Sequence, residues 1–173
     1  IYLSRFFFVL FFAIVVLFAL SASIEWLFYP AQIALLSLFG LAFIDSFLVF
    51  ASKKPLEFER KIGERLNLGD KNKVELKVRN ATNQPITFRL YEGFPVEMQE
   101  RKLFFWGVLA GGKYRAFAYM FEPKQRGEVV FGNAFFIITS LFHLVMRRYE
   151  VEKKQTIGVY PSVLQLKKYE LLV

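Results

Sequence analysis

The chain contains no cysteine and a single histidine, His143. Disulfides and thiolate metal sites are therefore excluded, and a Cys/His zinc cluster cannot be assembled. Lack of cysteine fits a reducing compartment, although many exported domains lack it too. There is no phosphate-binding glycine-rich loop and no Gly-x-Ser-x-Gly elbow. A His-dependent triad would have to use His143, which lies in the apolar stretch Ser140-Leu-Phe-His-Leu144 and reads as a turn or packing residue. The acid pairs Glu57/Glu59 and Glu150/Glu152 are spaced i, i+2, so both members share one strand face; a solvated face is the ordinary reading, not a general acid–base pair. The expectation is a non-enzymatic protein with no cofactor.

Charge is scarce at the N-terminus. Among residues 1–52 the only charged side chains are Arg5, Glu25 and Asp45, whereas residues 53–173 hold 22 Lys/Arg and 13 Asp/Glu, a net of +9 (22 − 13). Two apolar runs occupy the uncharged part, Phe6–Ile24 with 19 residues and Ala31–Ala51 with 21. A helix needs roughly 20 residues, and at least about 17, to span the hydrocarbon core. The pattern predicts a two-helix transmembrane hairpin over residues 1–54. Trp26 and Tyr29 between the runs suit a membrane–water interface, and Pro30 suits the first turn of the second helix. A rival reading makes the first run a secretory signal with Ser21-Ala-Ser23 as its cleavage site; a buried soluble helix pair is a third. Arg5 before the first run, and Lys53 and Lys54 after the second, place both termini on the cytoplasmic side. Asp45 is the one ionisable residue well inside a span. It should pair locally, with Arg5 near the cytoplasmic face, or else contact a partner helix or handle a proton.

From Leu56 the period changes to two. Val74, Leu76 and Val78 alternate with charged residues, and Ile86, Phe88 and Leu90 repeat the device. Further strands are expected at Tyr114–Phe121, Val129–Ile138 and Thr156–Tyr160, with weaker candidates at Leu103–Leu109 and Val145–Val151. Turn signals separate them at 67–70, 80–85, 111–112 and 123–127. About seven short strands with no helix between them predict an antiparallel β-sandwich over residues 55–173. Clusters of basic residues (71–79, Arg101-Lys102, Arg147-Arg148, Lys153-Lys154, Lys167-Lys168) point to anionic lipid headgroups for a domain held at the bilayer, with an acidic protein also compatible; nucleic acid is the less favoured polyanion. In Pro123-Lys-Gln-Arg-Gly127, Gly127 is expected at φ > 0, with Arg126 projecting from the turn. These two residues are either a structural turn or a partner contact.

The order of motifs resembles the DUF58 family of bacterial membrane proteins. The stretch Arg65–Asp70 before the strand Val74–Val78 and Asn80 is similar to that family's "GE…V.V.N". Tyr91-Glu-Gly-Phe-Pro95 resembles "D.LP", and Pro123–Gly127 with Phe131-Gly132 resembles "P..RG.Y.FG". Ser140–Arg147 resembles "DPFGLF.R", with Ser140, Leu141 and His143 in place of Asp, Pro and Gly. These departures argue against a special turn role for that element. Val159-Tyr-Pro-Ser-Val163 and Leu166 resemble "VYPRV..L". The resemblance implies a bacterial inner-membrane protein whose von Willebrand factor A-like region would lie beyond Val173. The start at Ile1 and the end within Tyr169–Val173 agree with a fragment. It also implies association with a MoxR-type AAA+ ATPase. The expected function is a membrane-anchored scaffold or adaptor presenting a basic sandwich to such an ATPase. The alternatives are a subunit of a transport or envelope-export assembly with other membrane proteins, and a tethered hydrolase whose catalytic part follows Val173.

Overall fold

The computed structural model describes residues 2–95 and 104–161. Among them, two helices, α1 (Arg5–Ser21) and α2 (Phe28–Phe50), precede nearly all of a β-rich body. Phe7 lies against Phe39 and Phe18 against Phe28, so the helices run antiparallel. Their seam has a seven-residue rhythm: Phe7 and Ile14 are buried on α1, and Ala31, Leu38 and Asp45 on α2. Such a repeat keeps one stripe of each helix facing its partner. The other faces expose large apolar side chains, among them Phe8, Phe12, Phe43 and Phe47. Glu25–Phe50, 26 residues including a short 3-10 turn, is long and apolar enough to cross a membrane. α1 is shorter than the expected 19-residue run. It ends at Ser21, whose hydroxyl bonds Phe18 O, and at 17 residues it stands at the lower limit for a span.

The body is a β-sandwich. One sheet has the order β1 (Tyr2–Leu3), β10 (Val145–Val151), β9 (Ala134–Thr139), β5 (Ile86–Tyr91), β6 (Phe104–Leu109). A second comprises β2 (Leu56–Lys61), β4 (Asn72–Asn80) and β7 (Tyr114–Phe121), and a third β3 (Arg65–Asn67), β11 (Gln155–Tyr160) and β8 (Gly127–Phe131). The alternating residues pack as expected: Val74, Leu76, Val78, Phe88, Leu90, Phe121, Phe131 and Phe136 form one core shared by the three sheets.

Three expectations need correction. The sandwich is not wholly antiparallel, because β11 pairs with β3 in parallel. The run Val129–Ile138 is two strands in different sheets, interrupted at Gly132-Asn133. There the backbone meets Gly93: Gly132 N–H donates to Gly93 O at 2.7 Å, and a Cβ on Gly93 would lie 2.5 Å from the Gly132 carbonyl carbon. Finally, a boundary at residue 54 leaves out Tyr2 and Leu3, which pair with Met146 and Val145 as an edge strand of the sandwich.

Candidate functional site

The strongest concentration of specific contacts lies where the helices meet the sandwich. Asp45 is fully buried. Its Oδ1 accepts from Phe142 N (3.1 Å), and its Oδ2 accepts from Leu144 N (3.1 Å) and from the Ser140 hydroxyl. Ser140 Oγ in turn accepts from Val145 N at 3.1 Å. One acidic side chain of α2 thus organises the whole turn between β9 and β10. A buried carboxyl is tolerated only when its oxygens are hydrogen-bonded, and backbone N–H groups at a turn supply that here. Asp45 therefore does not pair with Arg5, as the sequence suggested. Arg5 is exposed at the start of α1.

Two further ties close the junction. Ser4, the N-cap of α1, accepts from Phe7 N, donates its hydroxyl to His143 O, and bonds Leu144 O through its own N–H at 2.9 Å. Arg147 reaches the other helix: its guanidinium donates to Val49 O (3.1 Å), Ser52 O (2.7 Å) and Lys53 O (3.3 Å) and lies 4.8 Å from the Phe50 ring centroid. The last turn of α2 carries no basic residue of its own. Arg147 thus supplies both the missing hydrogen-bond partners and the favourable positive charge at that helix end. Leu144 and Val145 fill the base of the helical seam beside Phe7.

His143 occupies the centre of this turn with φ 59°, the one non-glycine residue with positive φ among the described residues. The Ser140–Arg147 element accordingly does have a special turn role, contrary to what its departures suggested. Arg147 is engaged with the helix, so Arg147-Arg148 does not act as a pair of surface cations; Arg148 lies 4.5 Å from the Phe135 ring and is exposed.

The remaining sequence-picked residues fall elsewhere. Trp26 and Tyr29 are exposed at the far tip of the hairpin, and Lys53 and Lys54 at its exit. Gly127 has φ 125°, in line with the turn reading, and Arg126 is exposed beside it. Lys73 and Arg79 are paired with Glu75 and Glu57; Arg101-Lys102, Lys167-Lys168, Val163 and Leu166 lie outside the described residues. The motifs around Tyr91–Pro95 and Phe131-Gly132 meet at a second buried polar cluster. Arg60 Nε donates to Glu92 Oε1 at 2.6 Å, and the same guanidinium binds Gly132 O and Lys153 O. Glu92 Oε2 and the Tyr119 hydroxyl are buried with no hydrogen-bond partner among the described residues. Burial raises the Glu92 carboxyl above its ordinary value against the pull of Arg60, and raises the Tyr119 phenol likewise. Sequence reading missed this pair, although period two from Leu56 and Phe58 puts Arg60 on the inward face.

A cleft of about 370 Å³ lies beside the junction, between the end of α2 and the loop at 81–85. No charged side chain lines it. The arrangement at the junction can hold two parts of a chain rigidly together.

No family model and no curated protein matches the chain. In fold it is similar to a PapD-like domain of human CEP192, at TM-score 0.45 and 15% identity over 64% of this chain and 91% of that one. It is also similar to the CARDB domain of PF1109 from Pyrococcus furiosus, at TM-score 0.41 and 13% identity over 62% of this chain and 96% of that one. These likenesses concern the β-sandwich alone.

Proposed function

We propose that the chain is a non-enzymatic, membrane-anchored scaffold that holds a β-sandwich in fixed orientation at the cytoplasmic surface of a membrane. The observation that carries this reading is the clamp formed by Asp45, Ser4 and Arg147, which ties both helices to one turn of the sandwich. A flexible tether would need no such contacts. The apolar outer surfaces of both helices favour a lipid environment, and Arg5, Lys53 and Lys54 favour the cytoplasmic side. Lys53 and Lys54 are also placed to meet anionic headgroups. The resemblance to DUF58 proteins supports a bacterial inner membrane and an AAA+ ATPase of the MoxR type as partner. The transport-subunit reading drew on Asp45 reaching other helices; that carboxyl is occupied within the chain.

Alkaline carbonate extraction is the first test. The chain should stay in the membrane pellet, and release into the supernatant would refute the anchor. A thiol introduced at Tyr29 should be labelled only from outside, with labelling from inside reversing the orientation. Recovery of an AAA+ ATPase in mild detergent supports the adaptor reading, whereas recovery of multispan proteins supports the transport alternative.

A further inference from the structure

The two outer faces of the sandwich differ in kind. On the β2–β4–β7 sheet, charges oppose each other across the strands: Glu57 faces Arg79, Glu59 faces Lys77, and Lys61 faces Glu75. Opposite charges directly across an antiparallel pair satisfy one another, so this face is complete in water. On the β10–β9–β5–β6 sheet, the middle rung reads Arg148, Ile137, Arg89, Trp106. The rung beyond it reads Glu150, Phe135, Tyr91, Phe104, with the Tyr91 and Phe104 rings stacked at 5.9 Å. Trp106 is 67% exposed and Phe104 47%. Exposed aromatic and arginine side chains set in an apolar patch are the composition of a protein–protein interface core. The strands agree: Phe-Phe-Trp-Gly-Val-Leu in β6 and Ala-Phe-Phe-Ile-Ile-Thr in β9 are apolar on both faces, the pattern of a sheet covered on both sides.

We infer that this face docks an acidic, amphipathic helix of a partner protein, laid across the strands so that two of its carboxylates meet Arg148 and Arg89. The charge on the face decides the occupant. Its described titratable groups near the middle rung are Arg148, Arg89, Glu150 and the Tyr91 phenol, and Glu150 already accepts from Asn133 at 2.9 Å. The middle rung holds two cations and no acid. A second copy would bring the same two cations on a chain that carries +8. The two arginines are two strands apart, about 10 Å at the usual strand spacing. Positions i and i+7 of a helix are also separated by about 10 Å, with the apolar residues between them falling over Ile137 and those beyond over Trp106. This inference rests on the scaffold reading and identifies the class of partner the scaffold holds.

The test uses the full chain in zwitterionic lipid nanodiscs and a synthetic helical peptide with Glu at i and i+7, Leu at i+3 and i+4, and Leu at i+11. Fluorescence anisotropy should show binding that weakens about tenfold with Trp106→Ala and about tenfold with each of Arg89→Glu and Arg148→Glu. The double charge reversal should bind the Lys-substituted peptide in place of the Glu peptide. That gain shows that the variant is folded. Absence of binding, equal binding of the Glu and Lys peptides, or a dimer cross-linked through position 106 would each overturn the inference. Because the chain's resistance to carbonate extraction is measured separately, failure here leaves the anchor reading standing.

Discussion

Two acidic side chains are buried among the described residues, and they are treated differently. Asp45, on a helix, has both oxygens hydrogen-bonded by a turn nearly 100 residues later and meets no cation there. Glu92, at the end of a strand, has an arginine on one oxygen and nothing on the other. The first has both oxygens bonded by groups that would otherwise be orphaned themselves. The second neutralises a buried guanidinium and leaves a polar atom idle. Hydrogen-bonded neutral donors thus build a junction, while the ion pair corrects the charge of a residue already committed to the core.

The largest break in this comparison is Arg60→Met. Removing one member of a buried pair costs about 3–5 kcal/mol, because Glu92, Gly132 O and Lys153 O all lose their partner. Circular dichroism in detergent should show a large fall in the melting temperature of the sandwich. Asp45→Asn comes next. Its amide N–H₂ would face donors, leaving at least one N–H of the turn unsatisfied at about 1–3 kcal/mol. Hydrogen exchange should quicken at Phe142 and Leu144 while the sandwich core keeps its protection. A loss spread over the whole core would show that the junction and the core are one cooperative unit.

Glu92→Gln should cost less than Arg60→Met, since an amide oxygen can still accept from Arg60, although that guanidinium loses its counter-charge. It also isolates a pH effect. The carboxyl of Glu92 is raised above its ordinary 4.5 in the folded state by burial. The folded chain therefore binds the proton more tightly than the unfolded one, and this group's contribution to stability is greatest below pH 4.5 and declines as pH rises towards the raised value. Denaturant titrations of the parent and Glu92→Gln chains should diverge in that window; parallel curves would refute the shift. The smallest effect belongs to Tyr119→Phe, which deletes an unpartnered buried hydroxyl and should leave the melting temperature unchanged or slightly higher.

Much of the architecture was legible because its helical and β-rich parts leave opposite marks in the sequence. A 52-residue stretch with three charges marks the helical pair, and Val74-x-Leu76-x-Val78 marks a strand with one wet face. The sheet change at Gly132 was hidden, because Val129–Ile138 is locally one continuous strand pattern and only the Gly93 backbone, distant in sequence, interrupts it. The partner of Asp45 was hidden for a similar reason. Its donors are mostly backbone N–H groups, which carry no residue identity to read. Arg147 looked like one more surface cation because its acceptors are carbonyls of another element. The aromatic face had a visible signal in the unbroken apolar strands β6 and β9, which the weaker strand assignment at Leu103–Leu109 did not exploit.

The clamp also orders events during synthesis. Tyr2, Ser4 and Asp45 emerge from the ribosome first, but the groups that tie them to the sandwich belong to residues 140–147. At about 5–20 residues per second, the helices wait roughly 5–20 s for that turn to be made. The hairpin must enter its surroundings with Asp45 unserved, and it is completed only after nine of the strands exist. A chain truncated before residue 140 would carry a helix with an unanswered acid.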